Sequence, residues 1–407
     1  MIATTPFGAS AKSAETVTAC TAPPEFSLVA GGPFYRLLCR AHLSDGSLGY
    51  LGRRVVVITL ITWMPLLVLA TLEGDVWHGV RVPFLLDASL HLRLLLAVPL
   101  LLAAEPVVHD WMQALASRFV ERGIVDGSTR GQLEAAVRAA HRVRDSVYPE
   151  AIIVIAALAI GAPYNWHRIA VLQDSTWYWT MQGGVGRGTV AGWWAGLISL
   201  PLFQFVLLRW YVRLFIWAQF LWHVARLPLR LAPTQPDRAG GLGFIGTATE
   251  GFWVLLMAHG AIGAAVMAHG MLFGGVTLLQ YRLEIVALCA LTLLWVVAPL
   301  LTFAPMLVQA RRAGGAAYGE LSQRYAFDFE QKWMTGVPKE DSLGSADIQS
   351  LADLRNGYEV VSSMRLIPIG RGTIFRLMLC PLIPIAPLAL ATVPIDRLLG
   401  RVLAALF

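Results

Sequence analysis

Charged residues are scarce in this chain of 407 residues: they make up 14% of it, against about a quarter of a typical soluble domain. Hydrophobic residues make up 56%, and the mean hydropathy is +0.60. Lysine is nearly missing, since only three of the 32 basic residues are lysine. These proportions exclude an ordinary soluble domain and give no reason to expect nucleic-acid binding. They predict a multi-pass membrane protein whose basic residues lie near anionic lipid headgroups.

Motifs of known chemistry are also missing. The four cysteines form no C-x-x-C pair, which argues against a zinc site and a disulfide framework. The chain has neither a His-Glu-x-x-His sequence nor a Gly-x-Ser-x-Gly elbow. We therefore expect no enzyme activity, no catalytic residue, no metal site and no cofactor.

Long apolar runs are what the chain has instead. About 20 apolar residues in a helix cross the roughly 30 Å hydrocarbon core of a bilayer. We predict an all-α membrane protein with about seven transmembrane segments and cytoplasmic helical insertions. The last segment contains four prolines, so it either crosses with kinks or is re-entrant. The predicted spans are 55–73, 94–109, 151–163, 191–212, 251–274, 283–308 and 375–394.

Basic residues fix the predicted orientation. With a cytoplasmic amino terminus, the inner segments hold 23 Lys and Arg residues and the outer segments seven. The arginine- and alanine-rich composition suggests a bacterial inner membrane. The predicted domains are a disordered tail (1–30), an interfacial segment with spans one and two (31–109), a cytoplasmic helical insertion (110–150), spans three to six with an inner glycine-rich loop at 231–246 (151–308), a cytoplasmic helical segment (309–374), and a proline-rich last membrane segment with a carboxyl-terminal amphipathic helix (375–407).

A basic stripe follows one side of the predicted fourth span. At about 100° per residue its polar members fall within roughly 140° of one another; they are Arg209, Arg213, Gln219, His223 and Arg226. One interpretation is a cationic wall of an anion path or a lipid-headgroup site. The other is that the arginines extend to the membrane interface while the rest packs on the inner domain.

Glu105 and His109 lie four residues apart at the end of the second span and share a helical face. A carboxylate beside a histidine there suggests a proton relay or half of a metal site. The alternative is a helix end that reaches the interface, where both side chains are wet.

The glycine-rich loop reads LAPTQPDRAGGLGFIG (231–246). Its Gly240, Gly241 and Gly243 permit positive φ, so that successive amides point at one anion, with Asp237 and Arg238 as further candidates. Alternatively, the loop is a tight connector held by an Asp237–Arg238 ion pair. With SADIQSLADL (345–354) and YAFDFEQKW (325–333), this element resembles an uncharacterised family of bacterial integral membrane proteins. That resemblance implies no activity.

The fifth span contains Met-Ala-His-Gly twice, ten residues apart. His259 and His269 lie about 15 Å apart along a helix and cannot share one metal ion. His259 shares a face with Gly263 and Gly270, and small residues allow close helix packing in membranes. We expect a central helix in which His259 hydrogen-bonds to a neighbour. The alternative places both histidines in a polar pathway.

Two functions follow from these features. The first is a channel or facilitator for small ions or solutes, with anions favoured. The second is a non-transporting scaffold or sensor whose cytoplasmic helices bind a partner. Membrane lipids are expected partners, with small anions and a second copy of the chain as further candidates, and nucleic acid is not expected.

Overall fold

The computed structural model describes residues 26–45, 48–161, 163, 175–182, 185–335 and 346–391, and these are helical nearly throughout. A small antiparallel hairpin is the one sheet among them. The elements, in chain order, are α1 (Pro33–Arg40), α2 (Leu51–Glu73), α3 (Ala88–Glu121), α4 (Gly127–Asp145), α5 (Val147–Ala156, continued by a π-helical turn Ala157–Gly161), β1 (Trp179–Gln182), β2 (Val185–Gly188), α6 (Val190–Val224), α7 (Gly243–Phe273), α8 (Leu278–Thr335), α9 (Ala346–Ser362), α10 (Arg371–Leu379) and α11 (Leu382–Ala391).

Five of these helices are long and apolar enough to cross a membrane, namely α2, α3, α6, α7 and α8. A sixth span is possible if α10 and α11 cross together, because they pass the same test as a pair but are bent by 46° at the break between them. A broken span and a re-entrant loop both fit that bend. The predicted all-α class is therefore confirmed, and the long apolar helices are compatible with a multi-pass membrane protein, whereas the count of seven spans is not confirmed.

Several predicted boundaries differ from the structure. The predicted tail reaches too far, because Phe26, Leu28 and Val29 are buried in the core. The helix predicted as the third span begins earlier, at Val147, and its described part is too short to count as a candidate span. The predicted amphipathic helix at the carboxyl terminus lies outside the described residues.

The sixth predicted span and the helix that was predicted to follow it in the cytoplasm form one continuous helix. α8 has 58 residues, with a 3₁₀ segment at Ala298–Phe303 where Pro299 removes a backbone donor. At 1.5 Å per residue it is roughly 85 Å long, far more than a bilayer core. The α8 segment 309–335 is therefore the part of this helix that extends away from the apolar segment.

α7 lies at the centre of the bundle, with 72% of its most apolar window buried. Its glycines allow close contacts. A Cβ on Gly260 would lie 2.1 Å from the carbonyl oxygen of Pro381, and one on Gly263 would lie 2.5 Å from Leu288. The expected tight packing is confirmed, and it brings α7 against α8 and against the break between α10 and α11.

The hairpin β1–β2 lies at the end of the bundle where α2 ends and α6 begins. Trp179 pairs with Gly188, and Val82 bridges to Thr176 just before the hairpin. The buried Trp177 indole donates to Asp87 at 3.1 Å. Between α5 and α6, the described residues 175–182 and 185–189 are not helical.

Candidate functional site

A buried cluster of charged side chains joins four helices. Glu105 of α3 is only 2% exposed. Its carboxylate accepts from Arg54 Nη1 of α2 at 2.7 Å and from Arg213 Nη2 of α6 at 2.7 Å, and it lies 3.4 Å from Arg209 Nη1. The side chains of the three arginines are at most 7% exposed. We call this set, with Glu150 of α5, the arginine cluster.

Glu150 is the second carboxylate of the arginine cluster. Its Oε1 lies 3.3 Å from Arg209 Nε, and its Oε2 accepts the backbone N–H of Phe34 at 2.7 Å. The Phe34 ring also lies 4.6 Å from the Arg209 guanidinium, a cation–π distance. The first turn of α1 is thereby held against α5 and α6.

Arg209 and Arg213, from the predicted basic stripe, thus lie together with Glu105, from the predicted Glu105–His109 pair. Two features that were predicted separately form one site. The predicted wet position of Glu105 is therefore wrong, and the side chains of Arg209 and Arg213 are buried within the protein rather than extended from it. A lone carboxylate inside a span is costly unless paired, and three guanidinium groups surround this one. The partner that sequence reasoning missed is Arg54, which is the last charged residue before the apolar run of α2.

The rest of the basic stripe serves local contacts. His223 Nδ1 lies 2.7 Å from the Gln219 carbonyl one turn earlier. Within the part of the chain that the structure describes, the buried Gln219 side-chain oxygen has no hydrogen-bond partner. Arg226 is exposed and lies 3.4 Å over the Trp222 ring. Ile216 and Phe220, which separate the stripe's members, are buried. The stripe is therefore not a continuous polar wall.

His109 does not act with Glu105 in the structure. Its Nδ1 lies 2.9 Å from the Ser27 hydroxyl, and the Ser27 amide donates to His141 Nε2 at 3.4 Å. Arg144 donates to the Ser27 carbonyl at 2.8 Å. Burial, together with the nearby Arg144, lowers the pKa of His141 to about 4. These contacts hold Ser27, which lies in the described end, residues 26–30, of the tail predicted to be disordered.

The glycine-rich loop forms an anion-binding nest, and its anion is its own Asp237. The carboxylate accepts the amides of Ala239, Gly241 and Gly243 at 2.9, 3.1 and 2.9 Å. Gly240 and Gly241 have the expected positive φ, +65° and +99°, whereas Gly243, the first residue of α7, does not. No ion pair between Asp237 and Arg238 occurs in the described chain; the Arg238 carbonyl instead accepts the Arg365 amide at 2.7 Å. The expected Asp237–Arg238 ion pair is therefore wrong, and the loop is held instead by the Asp237 carboxylate on backbone amides.

His259 is 9% exposed and bridges α7 to α6 as expected. Its Nδ1 lies 2.8 Å from the Leu255 carbonyl, and its Nε2 lies 3.1 Å from the Tyr211 hydroxyl. His269 is half-buried beside Phe273. In the described part of the chain, no group of three His, Cys, Asp or Glu side chains is placed to hold a metal ion.

Comparison of the chain with known protein families, with curated proteins and with solved structures finds no match. The resemblance in the glycine-rich loop accordingly stays a prediction.

Proposed function

We propose that this protein is a non-transporting membrane scaffold that presents a two-helix arm to a partner protein. The arm consists of the α8 segment 309–335 and α9. The observation that carries the proposal is the continuity of α8, which extends far beyond its apolar segment and pairs there with α9. Charged residues would be too costly in hydrocarbon for this part to be a span. The charged residues in the α8 segment of the arm are Arg311, Arg312, Glu320, Arg324, Asp328, Glu330 and Lys332.

The two helices of the arm run antiparallel and are fastened at its tip. Near the end of α8, the Lys332 ammonium lies 2.7 Å from the Asp347 carboxylate, and the Trp333 indole donates to the same carboxylate at 3.2 Å. The Tyr325 hydroxyl donates to the Asp347 carbonyl at 3.0 Å. The hydrogen bonds from Lys332 and Trp333 lower the pKa of the Asp347 carboxyl. The arm is thus a defined structural element.

The base of the arm rests on the glycine-rich loop. A Cβ on Gly314 of α8 would lie 2.7 Å from Pro233 of the loop, and 3.2 Å from Val361 of α9. Val361 and Met364, just beyond α9, are buried. The nest around Asp237 thereby fixes the loop on which the base of the arm packs, so the loop has a structural role.

A groove of about 400 Å³ runs between the two helices of the arm. One wall is made by small residues of α8, and the other by larger, mainly apolar residues of α9. The lining residues are Gly319, Ser322, Ala326, Leu351, Leu354, Arg355 and Tyr358. A groove of this kind receives the apolar face of an amphipathic helix. Exposed apolar patches outside the membrane are typical of protein–protein contact sites. The exposed Phe327 and Met334 extend the apolar surface of the arm.

Site-specific photocrosslinking in intact membranes tests this proposal. A photoreactive residue in place of Ala326, in the groove, should give one discrete protein adduct, whereas the same residue at the exposed Leu283 of the apolar segment should give lipid adducts only. Tyr358→Asp should abolish the protein adduct. Leu321→Asp, on the same arm but outside the groove, should retain it. Absence of a protein adduct at Ala326 would contradict the proposal, and an adduct of twice the chain mass would make the partner a second copy.

An anion channel or facilitator is the second candidate. One observation favours it: the arginine cluster holds three guanidinium groups against two carboxylates, an excess of positive charge that attracts anions. Conduction through the cluster requires Glu105 to leave the arginines that it bridges. Flux of chloride in proteoliposomes, lost in Arg209→Ala/Arg213→Ala, would establish this candidate.

A further inference from the structure

The charges of the arginine cluster do not balance. Arg54, Arg209 and Arg213 carry three positive charges, whereas Glu105 and Glu150 carry two negative ones. All five side chains are at most 15% exposed. An uncompensated charge in such surroundings is strongly unfavourable, because the low dielectric neither solvates it nor screens it.

Hydrogen bonding within the cluster is also incomplete. The buried Arg54 Nε–H has no hydrogen-bond partner among the described residues, although Arg54 donates to Glu105 and to the Leu48 carbonyl at 3.1 Å. A guanidinium carries five N–H donors, so the three arginines present fifteen, whereas the two carboxylates offer about eight acceptor sites between them. The cluster therefore has surplus donors as well as surplus positive charge.

A small cavity lies against the two arginines of α6. It has a volume of about 30 Å³, and its polar wall is made by Arg209, Arg213, Arg144 and Glu150. Apolar side chains, among them Val212, line the rest of this partly open cavity. Roughly 10–15 Å³ of such space suffices for one water molecule. A monatomic halide is only slightly larger than water, whereas a tetrahedral oxyanion is several times larger.

We propose that this cavity binds one monatomic monovalent anion, chloride under cellular conditions, between the guanidinium groups of Arg209 and Arg213. One negative charge brings the charge of the cluster to zero and accepts from donors that the carboxylates do not use. The adjacent Glu150 carboxylate disfavours a second anion. A bound anion that does not move is compatible with the scaffold function, so this inference stands apart from that proposal.

The stability of the purified protein in chloride tests the inference, with gluconate at equal ionic strength as the reference because gluconate is too large for the cavity. Chloride should raise the unfolding midpoint saturably, as expected for a ligand that binds the folded state. Val212→Leu fills the cavity from its apolar wall and leaves every charge in place, so it should abolish the chloride dependence. Arg226→Gln, which removes an exposed arginine of the same helix, should retain it.

Crystals grown in bromide supply a direct readout. The expected anomalous peak lies between Arg209 and Arg213, and it should be missing in Val212→Leu. Equal midpoints in chloride and gluconate for the wild-type protein would overturn the inference. So would bromide peaks confined to the protein surface.

Discussion

Replacing Glu105 by glutamine removes the one negative charge that touches all three arginines of the cluster. The two side chains have nearly the same size, so the change is electrostatic. Glutamine still offers one oxygen acceptor, but its amide group presents N–H donors to guanidinium donors. Arg54 and Arg213, each 2.7 Å from the carboxylate, lose a charge-assisted hydrogen bond.

The expected cost follows from burial. Breaking a buried ion pair by removing one partner typically destabilises a protein by about 3–5 kcal/mol, because the other charge stays buried and unpaired. Glu105 has three such partners and is nearly inaccessible, so we expect Glu105→Gln to fall in that range or above it. Glu150→Gln should cost less, about 1–3 kcal/mol, because Glu150 is more exposed and pairs with one arginine.

Reversible unfolding in mixed micelles measures both free energies. Arg226→Gln is the matched control, and we expect it to stay within about 0.5 kcal/mol of the wild-type protein because that arginine is exposed. Glu105→Gln combined with Arg54→Gln should cost less than the sum of the two single changes, since the two residues are in contact. A loss below about 1 kcal/mol for Glu105→Gln, or a larger loss for Glu150→Gln, would refute a desolvated cluster centred on Glu105.

Three further predictions concern other elements. Asp237→Ala leaves three loop amides without an acceptor and should destabilise the protein by about 1–3 kcal/mol; Asp237→Asn should cost less, and unfolding measurements that rank the two in the opposite order would contradict the nest. Gly260→Val places its Cβ against the Pro381 carbonyl and should lower the thermal midpoint by several degrees, whereas Gly315→Ala, with open space around it, should raise it slightly. His141, with its pKa lowered to about 4, stays neutral in the folded state at pH values where the unfolded state is already protonated, so stability should fall as the pH decreases from about 6.5 to 4. A denaturation series over this range should show a shallower slope in His141→Gln, and an unchanged slope would remove His141 from the account.

Apolar runs and residue spacing predicted the membrane class and most of the long helices. Spacing also singled out Glu105, Arg209 and Arg213, because a charge within an apolar run needs a partner. Their mutual contact was not predictable, since these residues come from helices about a hundred positions apart. A helical wheel gives the residues of one face but not the helix that this face meets. Arg54 was not predicted as a partner of Glu105, because it lies at the edge of its apolar run and on another helix.

Local geometry was predicted well where the chain closes on itself. The positive φ angles of Gly240 and Gly241 follow from glycine chemistry, whereas the identity of the bound anion does not, because an Asp237 carboxylate and an external anion satisfy the same amides. The continuity of α8 was missed since a change from apolar to charged composition suggests a boundary. A helix passes through such a change without a break when its backbone hydrogen bonds continue.

Anion flux in proteoliposomes distinguishes a closed arginine cluster from a conducting path. If the arginines predicted to line a path are neutralised within a closed cluster, chloride efflux from vesicles with the wild-type protein should equal that from protein-free vesicles. Vesicles with Glu105→Gln, provided that its fold is retained, should give the same result. Chloride efflux that depends on the wild-type protein and disappears in Arg209→Ala/Arg213→Ala would contradict the scaffold function and establish a conduit.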